Sequence, residues 1–175
     1  MPIDESLAFK PVRIAVLTVS DTRSAADDRS GDTLVERLTR AGHVLAARAI
    51  LRDDLDDLVE HLAGWVDDPQ IDCIVTTGGT GVTGRDVTPE ALQALGGKDI
   101  PGFGELFRWL SFQTVGTSTI QSRACAVVVR GTYIFALPGS TGAVKDGWDG
   151  ILVFQLDSRH RPCNFVELMP RLKEE

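Results

Sequence analysis

The sequence predicts an α/β fold: a three-layer α/β/α sandwich with a mostly parallel sheet and an antiparallel edge hairpin. Three observations carry this expectation. Runs rich in β-branched residues alternate with segments of helical periodicity, the order expected of a parallel sheet covered on both faces. One such run, residues 71–76, breaks directly into a glycine-rich loop that ends at a helix start. Two later runs, residues 124–129 and 133–137, are joined only by Arg130-Gly131-Thr132, which is too short for a crossover helix and therefore makes a hairpin.

Taken in order, residues 13–20 read as a buried strand with Ile14, Val16, Leu17 and Val19. Residues 21–32 are polar and loop-like. A helix follows over residues 33–41, with Leu34, Leu38 and Ala41 on one face and Gly42 as its stop. Residues 44–51 form the second strand. Leu55, Leu58, Val59, Leu62 and Val66 keep helical spacing until Pro69. The third strand feeds the glycine loop, and a helix over residues 89–95 leaves it, with Thr88 as N-cap and Pro89 as first helical residue. Phe103, Leu106, Phe107 and Leu110 recur at i, i+3, i+4 and i+7, which places another helix there. After the hairpin, Val144, Trp148, Ile151 and Leu152 mark the last long helix. The segment from Asp157 onward, with Pro162 and Pro170, reads as irregular.

A chain of 175 residues is expected to form a single domain over residues 1–175, with an N-terminal extension (1–11) and a C-terminal tail (157–175). The net charge of −7 argues against nucleic acid or a membrane surface as partner, so an anionic ligand would have to be attracted by local donors. No apolar run approaches the ~20 residues that span a bilayer. The first ten residues have no apolar signal core, and Cys73, Cys125 and Cys163 are odd in number without paired spacing. Together these features give a reduced, cytoplasmic chain as the expectation. His160 and Cys163 are too few to read as a metal site.

The loop from Thr77 to Thr88 carries the chemistry. Gly78, Gly79, Gly81 and Gly84 allow positive φ and close approach to a ligand. Thr76, Thr77, Thr80, Thr83 and Thr88 supply hydroxyls, and Arg85 and Asp86 set opposite charges side by side. Backbone N–H groups leading into a helix N-terminus attract anions, and an Asp among them suits a divalent cation bound with the anion. The features together suggest a nucleotide phosphate with Mg²⁺. The loop lacks the Gly-Lys-Ser/Thr of a P-loop and the glycine spacing of the dinucleotide fingerprint. In a mostly parallel sheet, ligands sit beyond the carboxyl ends of the strands. Four polar segments follow strands here: residues 20–23, Asp53-Asp54, the glycine loop, and residues 137–142.

Thr18-Val19-Ser20-Asp21, Thr-Thr-Gly-Gly-Thr-Gly from Thr76, Arg-Asp-Val-Thr-Pro-Glu from Arg85, Pro101-Gly-Phe-Gly-Glu105 and Leu-Pro-Gly-Ser from Leu137 resemble the MoaB/Mog family of molybdenum cofactor biosynthesis. Residues 117–123 and 157–165 resemble its B branch in particular. The likeness runs from about Arg13 to Phe165. It implies a molybdopterin-binding domain that transfers AMP from Mg-ATP to the molybdopterin phosphate and releases pyrophosphate. A non-catalytic molybdopterin carrier is the alternative. It also implies a homotrimer or homohexamer with pterin and nucleotide as its small-molecule partners.

On this resemblance, Asp53 and Asp86 are the catalytic, Mg²⁺-holding carboxylates. Read from residues alone, Asp53 or Asp54 simply caps the helix near Leu55. Gly78, Gly79, Thr80 and Gly81 would give donors to phosphate, with Thr77, Arg85 and Thr88 beside them. Ser20 and Asp21 end the first strand. Ser122 and Arg123 are candidate phosphate contacts. Pro138, Gly139 and Ser140 form the turn before the last helix, where Ser140 and Thr141 are N-caps as well as candidate contacts. Glu105 is either a charge at a helix N-terminus or a site-facing group. Lys145 is either solvated or a ligand contact. Trp65, Trp109 and Trp148 read as core or subunit-interface residues.

Overall fold

The computed structural model describes residues 3–174. Its sheet has six strands in the order β2-β1-β3-β6-β5-β4. β1 (Arg13–Val19), β2 (Val44–Leu51), β3 (Cys73–Thr77) and β6 (Thr132–Leu137) run parallel, while β5 (Cys125–Val129) pairs antiparallel with β6. The central strands β1, β3 and β6 are buried almost throughout, as strands covered on both faces must be.

Helices cover both faces. On one side α1 (Arg29–Arg40), α4 (Pro101–Val115) and α5 (Thr141–Gly147) bring Leu34, Leu38, Phe107 and Val144 onto Val16, Val75 and Phe135, and Trp148, just past the end of α5, joins them. On the other, α2 (Leu55–Asp67) and α3 (Thr88–Ala94) bring Leu58, Leu62, Val66, Ala91 and Leu92 onto Leu17, Ile74 and Ile134. The helix spacing read from the sequence thus puts one apolar stripe of each helix on the sheet, and the period-2 alternation of β1 serves both faces at once. Among the described residues, no helix is long and apolar enough to cross a membrane.

Several expectations need correction. The hairpin does not end the sheet: β4 (Lys98–Asp99) pairs antiparallel outside β5. Two residues carry no periodicity, so β4 is silent in sequence. Gly97 makes it possible, because a Cβ there would lie 2.4 Å from the Val128 carbonyl oxygen. Helix α1 begins four residues before Thr33, capped by Asp28, whose side chain accepts from the Gly31 amide. Thr88 does not cap α3. It is already the first helical residue, its cap position is Val87, and its hydroxyl donates to the Gly78 carbonyl at 2.9 Å.

The last helix is broken in register. After Gly147 it passes through a π-helical turn (Trp148–Leu152) before α6 (Val153–Gln155). A 3₁₀ segment, Gly116–Gln121, follows α4. The tail is not wholly irregular: Asn164 caps α7 (Phe165–Leu168), which runs into a 3₁₀ turn at Met169–Arg171. The tail also binds the N-terminal extension, through an Ile3–His160 bridge and Ser158, whose hydroxyl accepts from the Lys10 amide and donates to the Ala8 carbonyl.

Candidate functional site

The carboxyl ends of β1, β3 and β6 open onto a cavity of about 610 Å³. Its floor is the glycine loop, and the loop's shape follows from which positions tolerate no side chain. Gly78 has φ 107°, and a Cβ there would lie 2.1 Å from the Val19 carbonyl oxygen. The loop is fixed at both ends. The Thr77 hydroxyl donates to the Pro138 carbonyl at 3.0 Å, and the Thr88 amide donates to the Gly79 carbonyl at 3.0 Å. Arg123 holds it from outside, donating to the Gly81 carbonyl at 2.6 Å and the Asp86 carbonyl at 2.7 Å while pairing with Glu90.

Two carboxylates lie directly on this loop. A Cβ at Gly79 would be 2.9 Å from Asp53 Oδ1, and one at Gly81 would be 2.7 Å from Asp86 Oδ2. Asp86 accepts from the Thr83 amide at 2.9 Å and the Thr83 hydroxyl at 2.7 Å. Burial pushes its pKa up, but these hydrogen bonds, the Gly81 amide and Arg123 outweigh burial and hold it below the usual carboxylate value. Asp53 is shifted the other way, raised by burial and by the charges of Asp21 and Asp86. The adjacent Arg85 does not pair with Asp86. It reaches Asp21 instead, at 3.0 and 2.5 Å.

The structure also separates the two neighbouring aspartates. Asp54 caps α2, accepting from the Asp56 and Asp57 amides, both at 3.1 Å. Asp53 makes no side-chain hydrogen bond among the described residues and lines the cavity. Asp54→Ala is therefore expected to lower stability by ~1 kcal/mol, the usual cost of a lost cap, whereas Asp53→Asn leaves the melting temperature unchanged. Thermal unfolding of the two variants side by side checks this assignment.

Of the other expected residues, Ser20, Gly78, Gly79, Thr80, Gly81, Arg85, Ser122, Pro138, Gly139 and Ser140 line the same cavity. Ser20 turns the chain after β1, its hydroxyl accepting from the Thr22 and Arg23 amides at 3.3 and 3.2 Å. Ser140 caps α5 by accepting from the Ala143 amide at 3.1 Å. Thr77, Thr88 and Arg123 support the loop from behind and do not line the cavity. Asp21 acts through Arg85 and through the Asp53 amide, from which it accepts at 3.4 Å. Glu105 is elsewhere: it borders a separate groove between α3 and α4, with Arg108 and Asp99. Lys145 and Thr141 are not part of the lining either.

Sequence reasoning missed several lining residues. Arg23 is not one of these, since it belongs to the polar segment 20–23 expected at the open edge; it donates to the Gly139 carbonyl at 2.8 Å, tying two strand-end loops together. Phe107, Ser111 and Thr114 stand at i, i+4 and i+7 on α4, a face that turns from apolar to polar as it leaves the sheet. That change of character is visible in the sequence. Asp146, inside α5, belongs to no motif. Trp148 is core, Trp109 is 62% exposed, and Trp65 packs edge-on against His61.

Residues 15–158 match the family model described as "Probable molybdopterin binding domain". Over 169 residues the chain is 45% identical to molybdenum cofactor biosynthesis protein B of Escherichia coli (strain K12), spanning 97% of this chain and 98% of that protein. It is 43% identical over 146 residues to the protein of the same name from Bacillus subtilis (strain 168), spanning 83% and 86%. A solved structure of a molybdenum cofactor biosynthesis protein B superposes with a TM-score of 0.86 at 35% identity, covering 97% of this chain and 100% of that one. The tungsten cofactor synthesizing protein MoaB from Pyrococcus furiosus superposes with a TM-score of 0.77 at 33% identity, covering 95% and 100%. Matched along almost its whole length in sequence and in fold, the chain belongs to the molybdenum cofactor biosynthesis protein B family.

Proposed function

We propose that the chain is a molybdopterin adenylyltransferase, joining AMP from Mg-ATP to the terminal phosphate of molybdopterin and releasing pyrophosphate. The observation that carries this is the position of Asp53 and Asp86 on a glycine loop at the sheet's open edge, with Asp53 relieved of capping by Asp54. In the reaction, an oxygen of the pterin phosphate forms a bond to the α-phosphorus of ATP. The bond from that phosphorus to the bridging oxygen breaks, and pyrophosphate leaves with the electron pair. Such chemistry calls for alignment and charge neutralisation rather than a protein nucleophile.

The residues fit Mg²⁺ in its common mode, one or two carboxylates with the remaining positions taken by phosphate and water. Among the described residues no cluster of three or more His, Cys, Asp or Glu side chains is arranged to hold a metal. Asp53 and Asp86 would therefore share the ion with substrate phosphates. Mg²⁺ bound there supplies charge neutralisation at the phosphoryl oxygens. Amides of Gly78 to Gly81 are the phosphate donors in this reading. Thr80 also lines the cavity, and among the described residues its buried hydroxyl has no hydrogen-bond partner, which makes it a further candidate donor to an anion in this reading. Three free cysteines, one of them exposed, suit a reducing cytoplasmic setting.

Incubating the protein with molybdopterin and Mg-ATP and detecting adenylylated molybdopterin tests the assignment. Pterin binding without product would favour the carrier reading. We also infer a homotrimer or homohexamer. Leu106, Trp109, Phe112, Val115 and Ile120 leave an apolar surface on α4 and the 3₁₀ segment after it, with Ile120 83% exposed. An apolar surface of this kind is rarely left open on a monomer. Light scattering at micromolar concentration should give a trimeric or hexameric mass. A monomeric mass would refute the inference.

A further inference from the structure

The cavity has two sides of different chemistry. Asp53, Asp86 and the glycine loop belong to segments that lead into α2 and α3, on one face of the sheet. Ser111, Thr114 and Asp146 belong to α4 and α5, which cover the other face. The first side is built of amides and magnesium-type carboxylates. The second has hydroxyls, the Phe107 ring and a carboxylate that the phosphate chemistry does not use.

Among the described residues that carboxylate has no partner of its own. Asp146 is half-buried, lines the cavity, and makes no side-chain hydrogen bond or ion pair among the described residues. Its neighbour Asp149 is paired with Arg37 at 2.8 Å. Burial and the Asp149 charge push the Asp146 pKa up, so folding holds this carboxylate at a cost. Its position is nevertheless fixed. α5 lies so close to β6 that a Cβ at Gly147 would be 2.4 Å from Leu137 Cδ2, which sets Asp146 level with the end of the strand. An unpaired carboxylate held there without benefit to the fold is a local conflict of the kind that marks a functional position.

We propose that Asp146 is the specificity-determining residue for the pterin ring, accepting two hydrogen bonds from its 2-amino-4-oxopyrimidine edge. This rests on the molybdopterin reading above. The chemistry is a match of patterns. An ionised carboxylate is acceptor-only on two oxygens, and the ring N–H and exocyclic amine of a pterin present two donors side by side. Adenine offers a donor beside an acceptor along its pairing edge and leaves one carboxylate oxygen facing a lone pair. Asp146 therefore sorts the two heterocycles, with the pterin on the α4/α5 side and the phosphates on the glycine loop.

Fluorescence titration with 6-hydroxymethylpterin phosphate and its lumazine counterpart tests the proposal, since lumazine carries an oxygen in place of the 2-amino group. Wild type should bind the pterin at least ~10-fold more tightly, because the lumazine sets an acceptor against the half-buried Asp146 carboxylate, itself an acceptor. Asp146→Asn, offering one acceptor and one donor, should abolish or reverse that preference, and Asp146→Ala should abolish it without reversal. Both variants should keep wild-type affinity for Mg-ATP and should not melt earlier than wild type. An unchanged pterin preference in the variants, lost Mg-ATP binding, or a lowered melting temperature would each overturn the assignment. Equal binding of both pteridines by wild type would overturn it alone. Binding of neither would overturn the functional reading along with it.

Discussion

Asp86→Asn is expected to abolish adenylyl transfer while leaving the fold and pterin binding largely intact. The substitution keeps the size of the side chain and one oxygen to accept from Thr83, so the turn from Thr83 to Asp86 survives. It removes the negative charge that the local hydrogen bonds and Arg123 hold in the ionised form. A magnesium ion sharing two carboxylates would lose one of them, and a rate loss of at least ~10²–10³-fold follows if transition-state charge is neutralised there. An isosteric change on a loop facing solvent should cost less than ~1 kcal/mol of stability. Product formation, pterin titration and thermal unfolding read the three effects separately. Wild-type turnover in the variant, or lost folding in place of lost turnover, would show that the carboxylate has another role.

What the sequence revealed of this site depended on how local each feature was. The glycine loop was legible because its constraints are steric and contiguous: Gly78 answers to the Val19 carbonyl, one strand away, and nothing but glycine fits. The hairpin was legible because three residues leave no alternative connection. Asp53 and Asp54 were not separable, since adjacent carboxylates before a helix have equal capping propensity. Only the backbone at Asp54, extended at φ −121° and ψ 125°, shows which of them caps. Arg85 and Asp86 look like a pair in the sequence, yet the turn sends them to Asp21 and Thr83. β4 is too short to have a pattern, and its existence depends on Gly97 meeting a strand some thirty residues further along the chain.

The least legible feature carries the largest predicted effect on stability. Asp28 sits in a stretch that reads as solvated loop, yet it is completely buried. One oxygen accepts from the Thr18 hydroxyl of β1 and from Arg48 of β2, both at 2.8 Å, and the other accepts from the Gly31 amide at 3.0 Å. Gly31 has to be glycine, because a Cβ would lie 2.0 Å from the carboxylate. The same carboxylate faces Arg23 at 3.9 Å, the residue that ties the β1 loop to Gly139 at the cavity. Its helix cap, two strands and one wall of the site thus share a single side chain.

Asp28→Ala is expected to destabilise the protein by ~3 kcal/mol, toward the low end for a broken buried ion pair because Arg48 can turn partly to water. For a chain of this size that is a fall of roughly 6–12 °C in melting temperature. The pH dependence has a definite sign. Burial alone would raise the Asp28 pKa, but Arg48, the Gly31 amide and Thr18 outweigh it, so the folded value lies below the unfolded one. Its stabilisation is present in full above the ordinary carboxylate pKa of about 4 and disappears as pH falls through the lower folded value. The gap between wild type and Asp28→Ala should therefore be widest at neutral pH and narrow below about pH 4. Thermal melts of both proteins from neutral to acid pH measure it. A variant that melts with wild type at pH 7, or a gap that widens in acid, would mean that this buried carboxylate does not join α1 to the sheet.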